Sequence, residues 1–162
     1  MQNFFILAQQ PNGGAYLIGM LIGLGIGLTI GLFIGAVILR AACGLVNKVI
    51  EEPIDEPEYG KAILIVFVRL IAQVCFGFAI GLIGGILSGG QPNPAIMLAI
   101  QGVSFIVGFL VSAGIYTAMI PTPDYGKGLL VAFFEFLIVL AIVIVIGGVI
   151  LAITAATGGF GR

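Results

Sequence analysis

The sequence has no histidine and no tryptophan, and only 8% of its 162 residues are charged. Soluble domains carry about 25% charged residues, so this scarcity argues against an ordinary soluble domain. Without histidine, the chain lacks the residue that most often acts as a general base or as a zinc or haem ligand. The net charge of −1 indicates neither a nucleic-acid partner nor a basic segment that binds lipid headgroups.

Cysteine is also scarce, with only Cys43 and Cys75, both in apolar sequence. Two thiols without a histidine cannot complete a tetrahedral zinc site within one chain. Buried small hydrophobic side chains are the simpler interpretation of both. The sequence also contains no nucleophile–base set and no cofactor motif, so we expect no metal, no cofactor and no enzymatic activity.

Apolar residues are abundant, at 60% of the chain, with a mean hydropathy of +1.28. The hydrocarbon core of a bilayer is about 30 Å thick and needs about 20 helical residues to cross it. Four segments meet that requirement: 15–39, 62–87, 94–120 and 128–153. The sequence therefore predicts an all-α integral membrane protein with four transmembrane helices, whose first partner is the lipid bilayer.

Turn-forming and charged residues between these segments divide the chain into parts. We predict an interfacial N-terminal segment at 1–14, a helical hairpin at 15–87, an external turn at 88–93, a second hairpin at 94–153 and a tail at 154–162. The first hairpin contains an acidic, proline-broken loop between Glu51 and Glu58, which we expect to be solvated.

The first apolar segment carries glycines at intervals of four residues, here called the glycine ladder: Gly19, Gly23, Gly27, Gly31 and Gly35. Residues four apart lie on one face of a helix. A face without side chains lets a second helix approach closely, as GxxxG faces do in membranes. We expect the rest of the chain to pack around this ladder, and the ladder to be the surface for assembly with other copies or partner helices.

A short motif occurs twice, at an offset of 66 residues. Pro-Glu-Tyr-Gly-Lys-Ala at 57–62 returns as Pro-Asp-Tyr-Gly-Lys-Gly at 123–128. Since each copy would hold two transmembrane segments, the copies would be tandem hairpins in parallel orientation. Chance similarity between apolar segments is the alternative.

The repeat aligns Arg69 with Glu135, the two charges well inside apolar segments. A lone charge at mid-membrane costs at least ~2.5–3.5 kcal/mol, so we expect the two to face inward and pair. One interpretation is a structural ion pair that fixes helix register or joins subunits. The other makes Glu135 an ion or proton carrier with Arg69 as its electrostatic switch. We favour the structural pair, because a nearby arginine disfavours proton uptake by a carboxylate.

Arg40 permits two interpretations. Either it lies at the membrane surface on a first helix that extends into the cytoplasm, or it lies deeper and is the third member of a cluster with Arg69 and Glu135. We favour the surface position. Gln73, Gln101, Ser104 and Ser112 are polar residues that would line a path or bond between helices.

Basic residues near the segment ends predict the topology. They flank the loops 40–61 and 121–127, which we place in the cytoplasm, with both termini on the outer side. Tyr59, Lys61, Tyr125 and Lys127 would be anchors at the membrane interface.

The stretch 123–140, with Glu135 twelve residues after a loop proline, is similar to the ion-binding hairpin of the double-hairpin proteolipid of rotary proton-pumping ATPases. This resemblance implies that Glu135 would carry an ion. Three features depart from that family: the third segment lacks a tight glycine repeat, Arg69 adds a charge to the second segment, and the acidic loop is long. We assign no family on this basis.

Two functional hypotheses follow. The first is a non-enzymatic membrane subunit or scaffold that self-associates, or packs with partner helices, through the glycine ladder. The second is an ion- or proton-conducting channel or rotor subunit that uses Glu135.

Overall fold

The computed structural model describes residues 13–51, 53–87, 94–121 and 124–156. These residues form four α-helices: α1 (Gly13–Val49), α2 (Tyr59–Leu87), α3 (Pro94–Met119) and α4 (Tyr125–Ala156). Each helix is long and apolar enough to cross a membrane. For the described residues, the prediction of an all-α fold with four helices able to span a membrane is thus confirmed. Most of the predicted interfacial segment 1–14, the turn 88–93 and the tail beyond 156 lie outside the described residues.

Three of the four helices are longer than the predicted transmembrane segments, whereas α3 ends one residue before the predicted bound. α1 continues past Leu39 to Val49 and has 37 residues, or about 55 Å at 1.5 Å per residue, well beyond a bilayer core. α4 begins at Tyr125, inside the predicted loop 121–127. The cause is Asp124, whose Oδ1 accepts a 3.0 Å hydrogen bond from the backbone N–H of Gly126 and so caps the helix.

The four helices form a ring in which each packs against two others. α1 contacts α2 and α4, and α3 contacts the same two helices. Contacts between consecutive helices pair late residues of one with early residues of the next, as when Gly35 meets Val66 or Thr117 meets Gly128. Consecutive helices are therefore antiparallel. We call the end of the bundle near residues 50–58 and 120–124 the loop end.

The buried core is concentrated toward the loop end. Its fully buried large side chains come from all four helices and the turn after α3: Leu39, Val46, Ile65, Tyr116, Ile120 and Val131. Farther from the loop end, apolar side chains are mostly exposed, for example Ile86 at 79% and Leu98 at 73%. Exposed apolar surface of this kind matches a bilayer environment.

The acidic loop folds back along the end of α1. Asn47 fastens it with two hydrogen bonds, because its side-chain amide donates to Ile54 O at 2.9 Å and its Oδ1 accepts from Ile54 N at 2.6 Å. Ile54 is buried, while Glu51, Asp55, Glu56 and Glu58 remain exposed. The loop is thus solvated on its acidic side, as expected, and packed on its apolar side.

The rest of the chain does not pack around the glycine ladder, contrary to the expectation. A Cβ placed on Gly35 would meet Val66 Cγ1 at 2.8 Å, whereas one placed on Gly19, Gly23, Gly27 or Gly31 meets nothing within 4 Å. The reason is position along the bundle. Every residue from Ile18 to Gly31 is exposed, whichever side of the helix it lies on, so α1 has no packed side along this part of the ladder. Gly35 lies where α1 enters the buried core, next to Ala36.

Candidate functional site

Arg69 and Glu135 meet at the centre of the bundle. Each lies ten residues after the first residue of its helix, α2 for Arg69 and α4 for Glu135. Both are therefore about 15 Å along those helices from the loop end. Arg69 Nη1 donates a hydrogen bond to Glu135 Oε1, and the two side chains form a salt bridge. Since α2 and α4 are diagonal in the ring, this contact crosses the middle of the molecule.

Tyr116 on α3 completes the cluster. Its hydroxyl donates a hydrogen bond to Glu135 Oε2 and accepts one from Arg69 Nη1 at 2.7 Å. Both carboxylate oxygens of Glu135 are therefore occupied. Tyr116 is fully buried, and Glu135 is only 5% exposed. We call Arg69, Tyr116 and Glu135 the charge cluster.

Helix direction explains why these three side chains converge. The Cα–Cβ bond of a helical residue tilts toward the N-terminus of its helix. α2 and α4 begin at the loop end, so Arg69 and Glu135 lean toward that end. α3 ends there, so Tyr116, three residues before its last residue, leans away from it. The three therefore meet although their Cα atoms lie at different heights.

A close contact between α3 and α4 brings Tyr116 to Glu135. A Cβ placed on Gly128 would clash with Thr117 Oγ1 and would lie 2.6 Å from the carbonyl oxygen of Ala113. Only glycine therefore permits this approach of the two backbones. Farther along the same pair of helices, the rings of Phe105 and Phe136 meet edge to face, with centroids 5.4 Å apart.

The structure places Arg40 outside the charge cluster. Its Nη2 lies 3.8 Å from Glu56 Oε2, and its guanidinium lies over the ring of Tyr59, 4.0 Å from the centroid. Tyr59 is the first residue of α2, so Arg40 lies at the loop end. The third member of the cluster is Tyr116, and the suggestion that it is Arg40 is corrected. Glu56 in the loop and Tyr59 at the start of α2 are closer partners for Arg40 than Glu135 is.

The two predicted anchor pairs lie in matching positions. Tyr59 and Tyr125 are the first residues of α2 and α4, and both are exposed. Lys61 and Lys127 follow within the first turn of each helix. Tyr125 also donates a 3.1 Å hydrogen bond to Leu110 O on α3.

A cavity of about 300 Å³ adjoins the charge cluster between α2, α3 and α4. Arg69 and Glu135 line it together with Gln73, Ser104 and Ser112. Ser112 donates its hydroxyl to Gly108 O at 2.7 Å, within its own helix. Gln101 is not among the lining residues. Of the four polar residues noted in the sequence, three thus face one cavity.

Among the described residues, no three histidine, cysteine, aspartate or glutamate side chains lie close enough to hold a metal ion. Comparison with protein-family models, curated proteins and solved structures finds no match to this chain. Functional inference therefore depends on the residues themselves.

Sequence reasoning missed two members of this site. Tyr116 appears in the sequence as an ordinary interfacial aromatic near a helix end. The signal that could have identified it is its position, since a helix running toward the loop end directs this side chain back into the bundle. In the sequence, Gly128 is the last residue of the repeated motif and the first of the predicted segment 128–153, and neither position indicates a close helix contact.

Proposed function

We propose that this protein is a non-enzymatic, multi-pass membrane subunit that assembles with copies of itself through the glycine ladder of α1. The supporting observation is that four of the five ladder glycines have open space beside them on the surface of the bundle. In lipid, small residues on an exposed helix face allow two backbones to approach and pack closely.

A second copy of the chain is the partner that this surface fits best. Two identical ladders related by a two-fold axis present the same side-chain-free face to each other, which is the arrangement of the commonest oligomers. The region around the ladder is also where the monomer buries least, because its core lies toward the loop end.

The charge cluster supports a structural role in such a subunit. Each oxygen of Glu135 already accepts a hydrogen bond from Arg69 or Tyr116, so an ion at the carboxylate would share these oxygens with both partners. A pair held across the ring fixes the rotation of α2 relative to α4. It therefore sets which faces of the helices meet lipid and which meet a partner.

Ion or proton conduction through Glu135 is the second candidate function. The observation that favours it is the polar-lined cavity beside the carboxylate. Protein reconstituted in liposomes and tested for H⁺, Na⁺ and K⁺ flux separates the two functions. Flux that disappears in Glu135→Gln but persists in Tyr125→Phe would support conduction, and the absence of any such flux would exclude it.

Topology and duplication belong to the same proposal. The basic residues near the loop end favour a cytoplasmic location for that end. Tandem duplication is supported by the equal depths of Arg69 and Glu135 and by the tyrosine that begins both α2 and α4.

Self-association is tested by two substitutions on α1. We expect Gly27→Leu to abolish energy transfer between donor- and acceptor-labelled copies in lipid vesicles, because leucine separates the two backbones. Gly25→Leu is the matched control, since it also has open space but lies about 200° around the helix from Gly27. Equal energy transfer in both variants and in the parent would contradict assembly through the ladder.

A further inference from the structure

The cavity beside the charge cluster has its charged groups at one end. Arg69 and Glu135 lie at the end nearer the loops. Because α2 and α4 both run away from the loop end, Phe76, Val139 and the polar Gln73 lie farther along the cavity, at about the height of Ser104 on α3. A molecule that fills the cavity would meet charged side chains at one end and mainly apolar side chains beyond them.

The cavity is bordered by side chains on the surface that the bilayer covers. Phe105 is 56% exposed, and Phe136, its partner in the edge-to-face contact, is 37% exposed. Both line the cavity. A ligand would therefore enter between the helices from the lipid, which favours a lipid-soluble molecule over a water-soluble one.

The charges at one end of the cavity indicate the chemistry of the head group. Arg69 and Glu135 neutralise each other, so a charged head would leave a net charge inside the membrane, which is costly. The Arg69 side chain is 25% exposed and lines the cavity, so an uncharged oxygen in the cavity can accept a hydrogen bond from its guanidinium.

We propose that the cavity binds an uncharged, lipid-soluble amphiphile with a carbonyl or hydroxyl oxygen at one end. The oxygen accepts a hydrogen bond from the Arg69 guanidinium, and the hydrocarbon body packs against Phe76, Phe105 and Phe109. At about 30 Å³ per heavy atom, the volume that one water molecule occupies in the liquid, the cavity of about 300 Å³ holds about ten non-hydrogen atoms. This size lies at the lower limit of small-molecule sites.

Photolabelling in lipid nanodiscs tests the proposal. The probe is 1-decanol carrying a diazirine on its chain, and labelled residues are located by mass spectrometry. We expect labels on cavity residues of α2, α3 and α4, and competition by excess 1-decanol but not by decane or decyl sulfate. Equal competition by decane would show that hydrocarbon alone fills the cavity and would overturn the proposal. Competition by decyl sulfate would overturn the requirement for an uncharged head.

Two matched variants on α3 locate the binding. Gly108 lines the cavity and has open space beside it, so Gly108→Leu fills the cavity without moving a helix. We expect it to reduce labelling at least about tenfold, since several methylene contacts are lost. Gly102 also has open space beside it but does not line the cavity, so the Gly102→Leu variant should be labelled to the same extent as the parent. Unchanged labelling in Gly108→Leu would place the ligand elsewhere.

The role of the Arg69 guanidinium is tested by Arg69→Lys, which keeps the positive charge but removes the guanidinium donors. We expect the variant to lose the preference for 1-decanol over decane. A preference as strong as in the parent would contradict the assigned hydrogen bond. Should this variant fail to fold, the comparison of Gly108→Leu with Gly102→Leu still decides whether the cavity is the site.

Discussion

At the scale of single residues, the three side chains of the charge cluster differ in how deeply they are buried and in which partners they contact. Arg69 has one side open to the cavity, whereas Tyr116 and Glu135 are almost completely buried. Tyr116 is the only member without a formal charge, yet it touches both of the others. Its hydroxyl thus links the guanidinium of Arg69 to the carboxylate of Glu135.

We predict that Tyr116→Phe destabilises the protein by about 1.5–3 kcal/mol, the usual worth of hydrogen bonds to charged groups. The matched control is Tyr125→Phe, which removes one exposed hydrogen bond to a neutral carbonyl and should cost at most about 1 kcal/mol. Unfolding of both variants by denaturing detergent, from mixed micelles, measures the difference. Equal losses of stability in the two variants would mean that the hydrogen bonds of Tyr116 to charged groups add no more than a hydrogen bond to a neutral carbonyl.

The sequence could indicate part of this site and not the rest. The position of Arg69 and Glu135 at equal depth could be anticipated from the repeat, because the cost of a lone charge in lipid requires a partner. Tyr116 could not, because tyrosine near a helix end is common at membrane interfaces. Its role depends on the height of α3 relative to α4, which the packing at Gly128 sets and which no local pattern encodes.

At the scale of the helices, glycines lie in two different environments. Gly128 is buried where α3 and α4 almost touch, so its missing side chain is part of the internal packing. The ladder glycines of α1 before Gly35 face open space. A sequence pattern reports only that glycines recur, whereas the height of each glycine along the bundle decides whether it meets a neighbour. Gly35 lies in the packed part of α1, and the earlier ladder glycines lie in a part that is exposed on all sides. The ladder, which the sequence predicts to be an internal face, is therefore mostly an external one.

We predict that Gly128→Ala destabilises the bundle by about 1–3 kcal/mol, because the added methyl group must push α3 away from α4. Gly147→Ala is the control on the same helix, since a Cβ there meets nothing within 4 Å. It should be neutral or stabilising by up to about 1 kcal/mol, as alanine is the better helix former. The same detergent unfolding measures both variants. A Gly128→Ala variant as stable as Gly147→Ala would show that the close approach is not required.

At the scale of the whole molecule, packing is uneven along the bundle. The loop end has a core from all four helices and a loop fastened by Asn47. Toward the other end, the cavity separates three of the helices and the outer surface is apolar. The loop end thus holds the fold together, and the other half depends on lipid and on whatever packs against α1.

The predicted orientation in the membrane is tested at the exposed Asp55. We predict that Asp55→Cys, in a variant whose two native cysteines are replaced by alanine, reacts with a membrane-impermeant maleimide only after the cells are permeabilised. The reason is that basic residues near the loop end favour a cytoplasmic location for that end. Reaction in intact cells would show that the loop end faces the outside and would contradict the predicted orientation.

The central claim is that Arg69 and Glu135 are each tolerated in the membrane only because of the other. A double-mutant cycle with Arg69→Met and Glu135→Leu, measured as the free energy of unfolding in lipid–detergent micelles, tests it most directly. Each single variant leaves one unpaired buried charge and should lose about 3–5 kcal/mol, and the double variant should lose about 3 kcal/mol less than the sum. Losses that simply add would contradict the account.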